Sequence, residues 1–374
     1  MYVIDSLAPG GAETSLAEMA PGLVARGVDL HVLPLGPRLD LAPRLELAGA
    51  VVHSRASRSG RPGNIHAVLQ VARRVKPALV HTTLFESDVA GRVAARMLSL
   101  PSSTSLVSDS YGPPHYAEMS TAKLHAARVV DAATARFATR FHAITAAIAQ
   151  TVPPRLGIPV HLVDVVPRGR DPRAFPFRTA SSREHTKRLL GIPSRASVIV
   201  SVGRLEPPKG HQHLLRSLPG VAKDHPDVVV LIAGKEGRSS QPLRQAAARL
   251  GLDIRFLGHR DDVPALLAAA DAFCFPSERE GFGGVLIEAL AVGCPVVASA
   301  LPTTVEILGP DPVGLMVPVG DAESLARALS RALSDRAESA RLADRGRERF
   351  EELFTIDRVD DRMTAFFTHV ADGG

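Results

Sequence analysis

Residues 272–298 read AFCFPSEREGFGGVLIEALAVGCPVVA, and the order of residue types in this stretch decides how the chain folds. Ala272–Pro276 is an apolar run of strand length that ends at Ser277. Glu280-Gly281-Phe282-Gly283-Gly284 then makes a turn, because glycine accepts backbone conformations closed to other residues. Val285–Ala291 predicts a helix, and Pro295–Ala298 a second strand. Strand, turn, helix and strand in this order form a βαβ unit of a parallel sheet. Two carboxylates stand out: Glu280 in the turn, and Glu288 about one turn into the helix among Leu286, Ile287, Ala289 and Leu290. A buried carboxylate is costly without partners, so Glu288 is expected to meet hydrogen-bond donors, two ribose hydroxyls being the obvious candidates. The other reading is a solvent-facing helix residue.

The same alternation runs through the whole chain. The first half offers strands at Tyr2–Asp5, Leu30–Leu35, Val51–Ser54, Ala78–Thr82, Ser105–Ser108 and Phe141–Ile144. Helices are expected between them at Gly11–Arg26, Asn64–Arg74, Glu86–Leu98 and Ser120–Arg140. The second half offers strands at Ser197–Val202, Val228–Ala233, Ile254–Leu257, Ala272–Pro276, Pro295–Ala298 and Gly314–Val317, followed by a long charged helix from about Asp321 to Glu352. Between the halves lies VVPRGRDPRAFPFRTASS, residues 165–182, rich in Pro, Arg and small residues and read as a linker. The fold class is therefore α/β, with two doubly wound domains and ligands expected at the carboxyl ends of their strands.

Composition narrows the function. At 374 residues the chain suits two domains, and 45% hydrophobic with 22% charged residues describes a globular protein. No apolar run approaches the ~18 residues that span a bilayer, and the opening YVIDSL reads as a strand, not a leader. Cys274 and Cys294 lie in apolar surroundings and read as a buried, reduced pair, which fits a cytoplasmic protein. Through Arg170 there are 18 Lys and Arg against 12 Asp and Glu; after it, 26 against 27. A basic first half suits an acidic acceptor or an anionic membrane surface. With only 4% aromatic residues and no basic-aromatic cluster, nucleic acid is a poor partner.

Two further motifs carry chemistry. In DSLAPGGAETSLAEMA, residues 5–20, Gly10 and Gly11 make a βα turn in front of a helix N-terminus, an arrangement suited to phosphate. In SVGRLEPPKGHQHLLRSL, residues 201–218, Gly203 permits a turn after a strand, and Arg204 and Lys209 flank a Pro-rich loop. Two cations at a strand's carboxyl end can neutralise a diphosphate, Arg as a fork and Lys as a point charge. His211 and His213 suggest a metal, but no third ligand stands near and helix packing is the better reading.

GRLEPPKG at 203–210, followed by EGFGGVLIEALAVGCPVVAS at 280–299, resembles the retaining glycosyltransferases of family 4, which have the GT-B fold. The family signature of Glu, seven residues and Glu is met by Glu280 and Glu288. IDSLAPGGAE at 4–13 resembles the GGAE-type first loop of one branch, and PALVHTTLFESDVAGRVAARM and FHAITAAIAQ are similar to its His-containing strand end and a later segment. The resemblance covers nearly the whole chain. It implies two Rossmann-like domains facing across a cleft: residues 1–168 for the acceptor, a linker at 169–182, and 183–354 for the nucleotide sugar. A C-terminal helix at about 355–370 is expected to pack back on the first domain.

The resemblance also implies roles. Arg204 and Lys209 contact the donor diphosphate, Glu280 faces the sugar hydroxyls, and Glu288 takes the ribose. Backbone at Phe282, Gly283 and Gly284 meets sugar and phosphate oxygens, while Gly10, Gly11 and Gly203 let backbone approach the diphosphate. His259 and Arg260, in FLGHRDD, belong to the loop that meets the nucleobase. Glu280, Arg204 and Lys209 form the catalytic set, with no metal and no cofactor expected, since no Asp-x-Asp stands at a strand end. His81, Asp109, Ser110 and His115 are the acceptor-side candidates. The family's His after its fifth strand is missing here: SDSYGPPHY puts Asp109 or Ser110 in that place and His115 later. The linker reads PRGRD where relatives often read PNGVD, so Arg168 replaces a turn-forming Asn, and the chain begins unusually close to its first strand.

The expected function is retaining transfer of a sugar, from a UDP-sugar by family frequency, to a hydroxyl of a glycan, lipid-linked or natural-product acceptor. The alternatives are a sugar-nucleotide-binding scaffold that has lost transfer, or another GT-B enzyme such as an epimerase or phosphorylase. Lys123, Arg128, Arg136 and Arg140 among apolar residues suit peripheral contact with a membrane.

Overall fold

The computed structural model describes residues 1–54, 60–112 and 121–373. The chain divides into two compact units, one made of Met1–Gly169 with Ile356–Gly374 and the other of Arg170–Thr355. Each is built on one parallel sheet covered by helices. In the first unit the strands are β1 (Tyr2–Ile4), β2 (His31–Pro34), β3 (Val51–Val52), β4 (Val80–Thr83), β5 (Ser102–Leu106), β6 (Arg140–Ala143) and β7 (Val163–Val165), in the order β3-β2-β1-β4-β5-β6-β7. In the second they are β8 (Val198–Val202), β9 (Val229–Ala233), β10 (Asp253–Gly258), β11 (Ala272–Phe275), β12 (Val296–Ser299) and β13 (Leu315–Val317), in the order β10-β9-β8-β11-β12-β13. The order in which strands are added reverses once in each sheet, between β1 and β4 and between β8 and β11. Ligands of doubly wound sheets sit outside the strand ends at such switch points.

The two-residue period of a strand puts alternate side chains on opposite faces. Ile4 joins Leu16, Leu23 and Val32 on one face of the first sheet, while Val3 joins Leu33, Val68 and Ala94 on the other. In the second unit Ile199, Val230, Ile232 and Val297 pack with Leu214, Leu218, Leu325 and Leu329. Cys274 and Cys294 are free and buried, and burial pushes both thiols well above their ordinary range, so neither is a reactive thiolate.

Four expectations need correction. β5 lies at Ser102–Leu106, not at 105–108, because SSTSL is a buried strand whose hydroxyls are satisfied internally. β7 falls where the linker was read to begin, and the helix Ala180–Leu189, capped by Thr179, falls at its end. The long charged helix is two, Ala322–Ser334 and Arg336–Leu353, divided at Asp335, whose side chain accepts from Glu338 N–H and caps the second. The helix expected to reach Arg140 is Thr121–Ala135, and Arg140 starts β6, where its Nε donates to Asp164 at 2.8 Å.

The helix Ile356–Ala371 completes the first unit. Its Val359, Met363, Phe366, Phe367 and Val370 are buried with Ile4, Leu16 and Leu23. Against it lies the helix Gly11–Ala25, where a Cβ on Gly22 would stand 1.7 Å from Asp360 Oδ2. Burial raises the Asp360 carboxyl to about 7 despite Arg26 at 3.9 Å, with Asp357 and Asp361 adding to the rise. An unfolded aspartate titrates near ~3.9. Between those values the folded unit holds a proton that the unfolded chain has released. Stability from this group is thus present at low pH and falls as pH rises through the window, by up to about 1.4 kcal/mol per pH unit. Asp360→Asn stays neutral and should flatten that slope. In thermal denaturation it gains more on the parent at pH 8 than at pH 5; an unchanged slope would mean Asp360 is ionised in the fold.

Candidate active site at the second switch point

β8 and β11 are neighbours, so the loops leaving their carboxyl ends are brought together. The first loop carries Arg204, which is exposed, and a single 3-10 turn, Pro207–Lys209. Gly210 follows at φ 70° and starts the helix His211–Asp224. A Cβ there would lie 1.8 Å from the Pro276 carbonyl oxygen, so only glycine lets the two loops touch. The contact they make is chemical. Lys209 Nζ donates to Glu280 Oε1 at 2.6 Å, and Ser277 Oγ donates to the same oxygen at 2.9 Å. The Glu280 side chain is 8% exposed and that of Lys209 26%, so the pair is open to solvent on the lysine side.

Glu288 lies on the helix Gly284–Val292, entered through Gly283 at φ 89°. Its Oε1 accepts from Arg170 Nε at 2.7 Å, with both side chains mostly buried. This is the donor that a half-buried carboxylate requires, and it comes from the protein. Gly284 makes room for it: a Cβ there would stand 2.6 Å from Arg170 Nη2. Phe282 turns its ring into the core, edge-on to Phe354 at 6.2 Å, which leaves its backbone as the part it can offer a ligand.

The histidines of the first loop are structural. His211 is 1% exposed, with ring nitrogens 3.2 Å from Ser201 Oγ and 3.3 Å from the Gly203 carbonyl, and burial lowers it to about 4. It is therefore neutral and orders the Gly203 turn. His213 pairs with Glu278. His259 and Arg260 sit after Gly258 and meet acids of their own loop, Asp261 at 3.4 Å and Asp262 at 2.6 Å. Among the described residues no group of three or more His, Cys, Asp or Glu is placed to hold a metal ion.

In the first unit, Gly10 and Gly11 lead into the helix Gly11–Ala25 at the β1–β4 switch point. A Cβ on Gly11 would be 2.9 Å from Arg168 Nη1, and one on Gly10 would be 2.4 Å from Glu13 Oε2. Both glycines face the ends of flexible side chains, Arg168 and Glu13. His81 is 2% exposed, with Nδ1 2.7 Å from Ser103 Oγ and Nε2 2.9 Å from Ser105 Oγ, and burial holds it well below its ordinary pKa. It is a neutral core residue, not one presented to an acceptor, because strand alternation turns it toward Phe366 and Phe367. Asp109 pairs with Arg155 at 3.1 Å, Ser110 is exposed beside Ser108, and His115 lies outside the described residues.

Sequence reasoning missed Ser277 and Arg170. Ser277 immediately follows the strand and Pro276, a place that faces the switch point. Arg170 had no local signal, since it stands 118 residues from its partner.

Residues 182–349 match the model of glycosyl transferases group 1, and residues 9–174 that of Glycosyltransferase Family 4. The GDP-mannose-dependent monoacylated alpha-(1-6)-phosphatidylinositol monomannoside mannosyltransferase of Corynebacterium glutamicum is 32% identical over 208 residues, covering 53% of this chain and 54% of that one. The chain thus spans about half the length of that relative. The D-inositol 3-phosphate glycosyltransferase of Salinispora tropica is 30% identical over 404 residues, covering 97% of this chain and 82% of that one. In fold, the chain is similar to Anabaena HepE, solved in complex with UDP, with a TM-score of 0.86 at 24% identity over 98% of this chain and 99% of that one. With both halves matched and nearly the whole of this chain aligned to the Salinispora protein, the chain belongs to glycosyltransferase family 4, of the GT-B fold.

Proposed function

We propose that the chain is a retaining glycosyltransferase that moves a sugar from a nucleotide diphosphate sugar, a UDP-sugar by preference, to an acceptor hydroxyl. The observation that carries this reading is the Lys209–Glu280 pair at the β8–β11 switch point with Arg204 exposed beside it. In the reaction the bond between the anomeric carbon and the leaving phosphate oxygen breaks. A bond from the acceptor oxygen forms on the same face, and the acceptor proton passes to the departing diphosphate. Charge builds on the diphosphate as the sugar becomes oxocarbenium-like. Lys209 and Arg204 meet that charge and stabilise the transition state more than the ground state. Glu280, kept in place by Ser277, accepts from sugar hydroxyls, and Glu288 accepts from the ribose. Neither carboxylate serves as a nucleophile.

Relatives support both a uracil and a guanine nucleotide: the Anabaena protein is solved with UDP and with UDP-glucose, while the Corynebacterium enzyme is named for GDP-mannose. A thermal-shift screen of UDP, GDP, ADP and dTDP separates them. The preferred nucleotide at a hundredfold excess over its Kd should stabilise the chain by ~2.7 kcal/mol, and no shift with any of the four would remove the donor reading.

The acceptor is a hydroxyl of a glycan, a lipid-linked sugar or a natural product. Relatives named for phosphatidylinositol mannoside and inositol phosphate support a polyol or a membrane-borne acceptor. Among the described residues no helix is long and apolar enough to cross a membrane. Peripheral contact would use the helix Thr121–Ala135, with Lys123 and Val129 exposed, acting from the cytoplasmic side. Binding to anionic vesicles that weakens with salt is the expected result.

A further inference from the structure

Arg170 and Glu288 are the second ion pair of the candidate site, and the mechanism above leaves the arginine unused. Its backbone is held firmly: Arg170 N–H donates to the Phe354 carbonyl at 2.9 Å, and the residue bridges in parallel to Thr355. Its guanidinium lies over Gly284, in the space that any larger residue would fill. From there Nε grips Glu288 through Oε1 at 2.7 Å, and the two side chains are 11% and 14% exposed. Among the described residues Oε2 carries no hydrogen bond, and it is not closed off from solvent.

A carboxylate that holds both hydroxyls of a ribose uses one oxygen for each. Here Oε1 already accepts a short, charge-assisted bond and is crowded by a planar guanidinium. Resting on the donor reading above, we infer that Arg170 is a positioning residue that turns Glu288 into a one-oxygen reader: Oε2 accepts from a single ribose hydroxyl, and the other hydroxyl goes unread by this carboxylate. The arginine also fixes the rotamer of Glu288 before nucleotide arrives, so that binding does not have to order it.

The test compares UDP and GDP with their 2′-deoxy and 3′-deoxy forms, by calorimetric titration on the full chain. The parent protein should lose about tenfold or more in affinity for one deoxy form, as expected for a lost hydrogen bond to a charged group, and less than about threefold for the other. Arg170→Met frees Oε1, so both deoxy forms should now bind more weakly than the parent nucleotide by similar factors. Arg170→Lys restores a cation and should bring back the one-sided pattern, which a merely structural role for Arg170 would not do. Equal losses for the two deoxy forms in the parent protein, or a pattern untouched by Arg170→Met, would overturn the inference. Glu288→Ala separates the two levels. If it leaves nucleotide affinity unchanged, the ribose reading itself falls and the inference with it. If it weakens binding while Arg170→Met alters nothing, only the inference falls.

Discussion

Lys209→Ala should lower kcat for the proposed sugar transfer by about 10²–10³-fold, the loss typical of a preorganised group aimed at charge that develops in the transition state. The ammonium is one of two cations on the β8 loop, and the structure holds it 2.6 Å from Glu280, on a 3-10 turn backed by Gly210. The variant has a second effect that must be read separately. It leaves the Glu280 carboxylate, 8% exposed, with Ser277 as its remaining hydrogen-bond partner. Removing one member of a fully buried pair costs ~3–5 kcal/mol, and less here because Lys209 is partly in solvent. The double variant Lys209→Ala with Glu280→Gln removes the uncompensated charge and should recover most of the lost thermal stability without recovering kcat. Initial-rate kinetics beside thermal denaturation distinguishes the two effects. A kcat within about threefold of the parent value, in a protein that stays folded, would falsify the diphosphate role of Lys209.

Deleting residues 356–374 unfolds the first unit and spares the second. The helix Ile356–Ala371 contributes Val359, Met363, Phe366, Phe367 and Val370 to the core of the first unit, all 9% exposed or less. Truncating a single such side chain costs ~2–5 kcal/mol. Losing five at once exceeds the whole ~5–15 kcal/mol by which a domain is stable. Phe366→Ala, at about 3–5 kcal/mol, is the graded version. Hydrogen exchange read peptide by peptide should show β1, β4 and β5 losing protection in the deletion while β8, β9 and β11 keep theirs. Equal loss in both sheets would mean that the units do not fold independently.

The architecture was legible because parallel strands buried on both faces are written as near-continuous apolar runs. Val229–Ala233 and Ala272–Phe275 could be read from their letters alone. Ser102–Leu106 could not be bounded, because its polarity is cancelled by partners distant in sequence: Ser103 and Ser105 on His81, and Thr104 on Thr82 and on Arg92 of the helix Phe85–Leu98. β7, only three residues long, was missed beside a stretch whose Pro and Arg residues read as linker. Within the site, the residue types and their loops followed from strand–turn–helix order, and so did the expectation that Glu288 needs a donor. What the letters did not disclose is who meets whom. The partner of Glu280 is Lys209, 71 residues away, and that of Glu288 is Arg170, 118 residues away. Only the strand order, with β8 beside β11, closes the first distance. Gly10, Gly11 and Gly284 illustrate the same limit. Their smallness was visible, yet each answers to a neighbouring side chain, Glu13, Arg168 and Arg170 in turn.

The return of the last helix to the first unit also sets an order of events during synthesis. The second unit is contiguous, Arg170–Thr355, and can close as soon as it has left the ribosome. The first unit, although made first, lacks one wall of its core until the final residues emerge. Folding of the inserted unit helps it, because the backbone pairing of Arg170 with Thr355 brings the flanking Gly169 and Ile356 together before the terminal helix docks. An unfolded segment of that length would instead have to be closed as a loop, at a cost of about 4–5 kcal/mol. The second unit is in this sense the scaffold on which the earlier one is finished, and damage to β8–β13 should appear as late, incomplete folding of β1–β7.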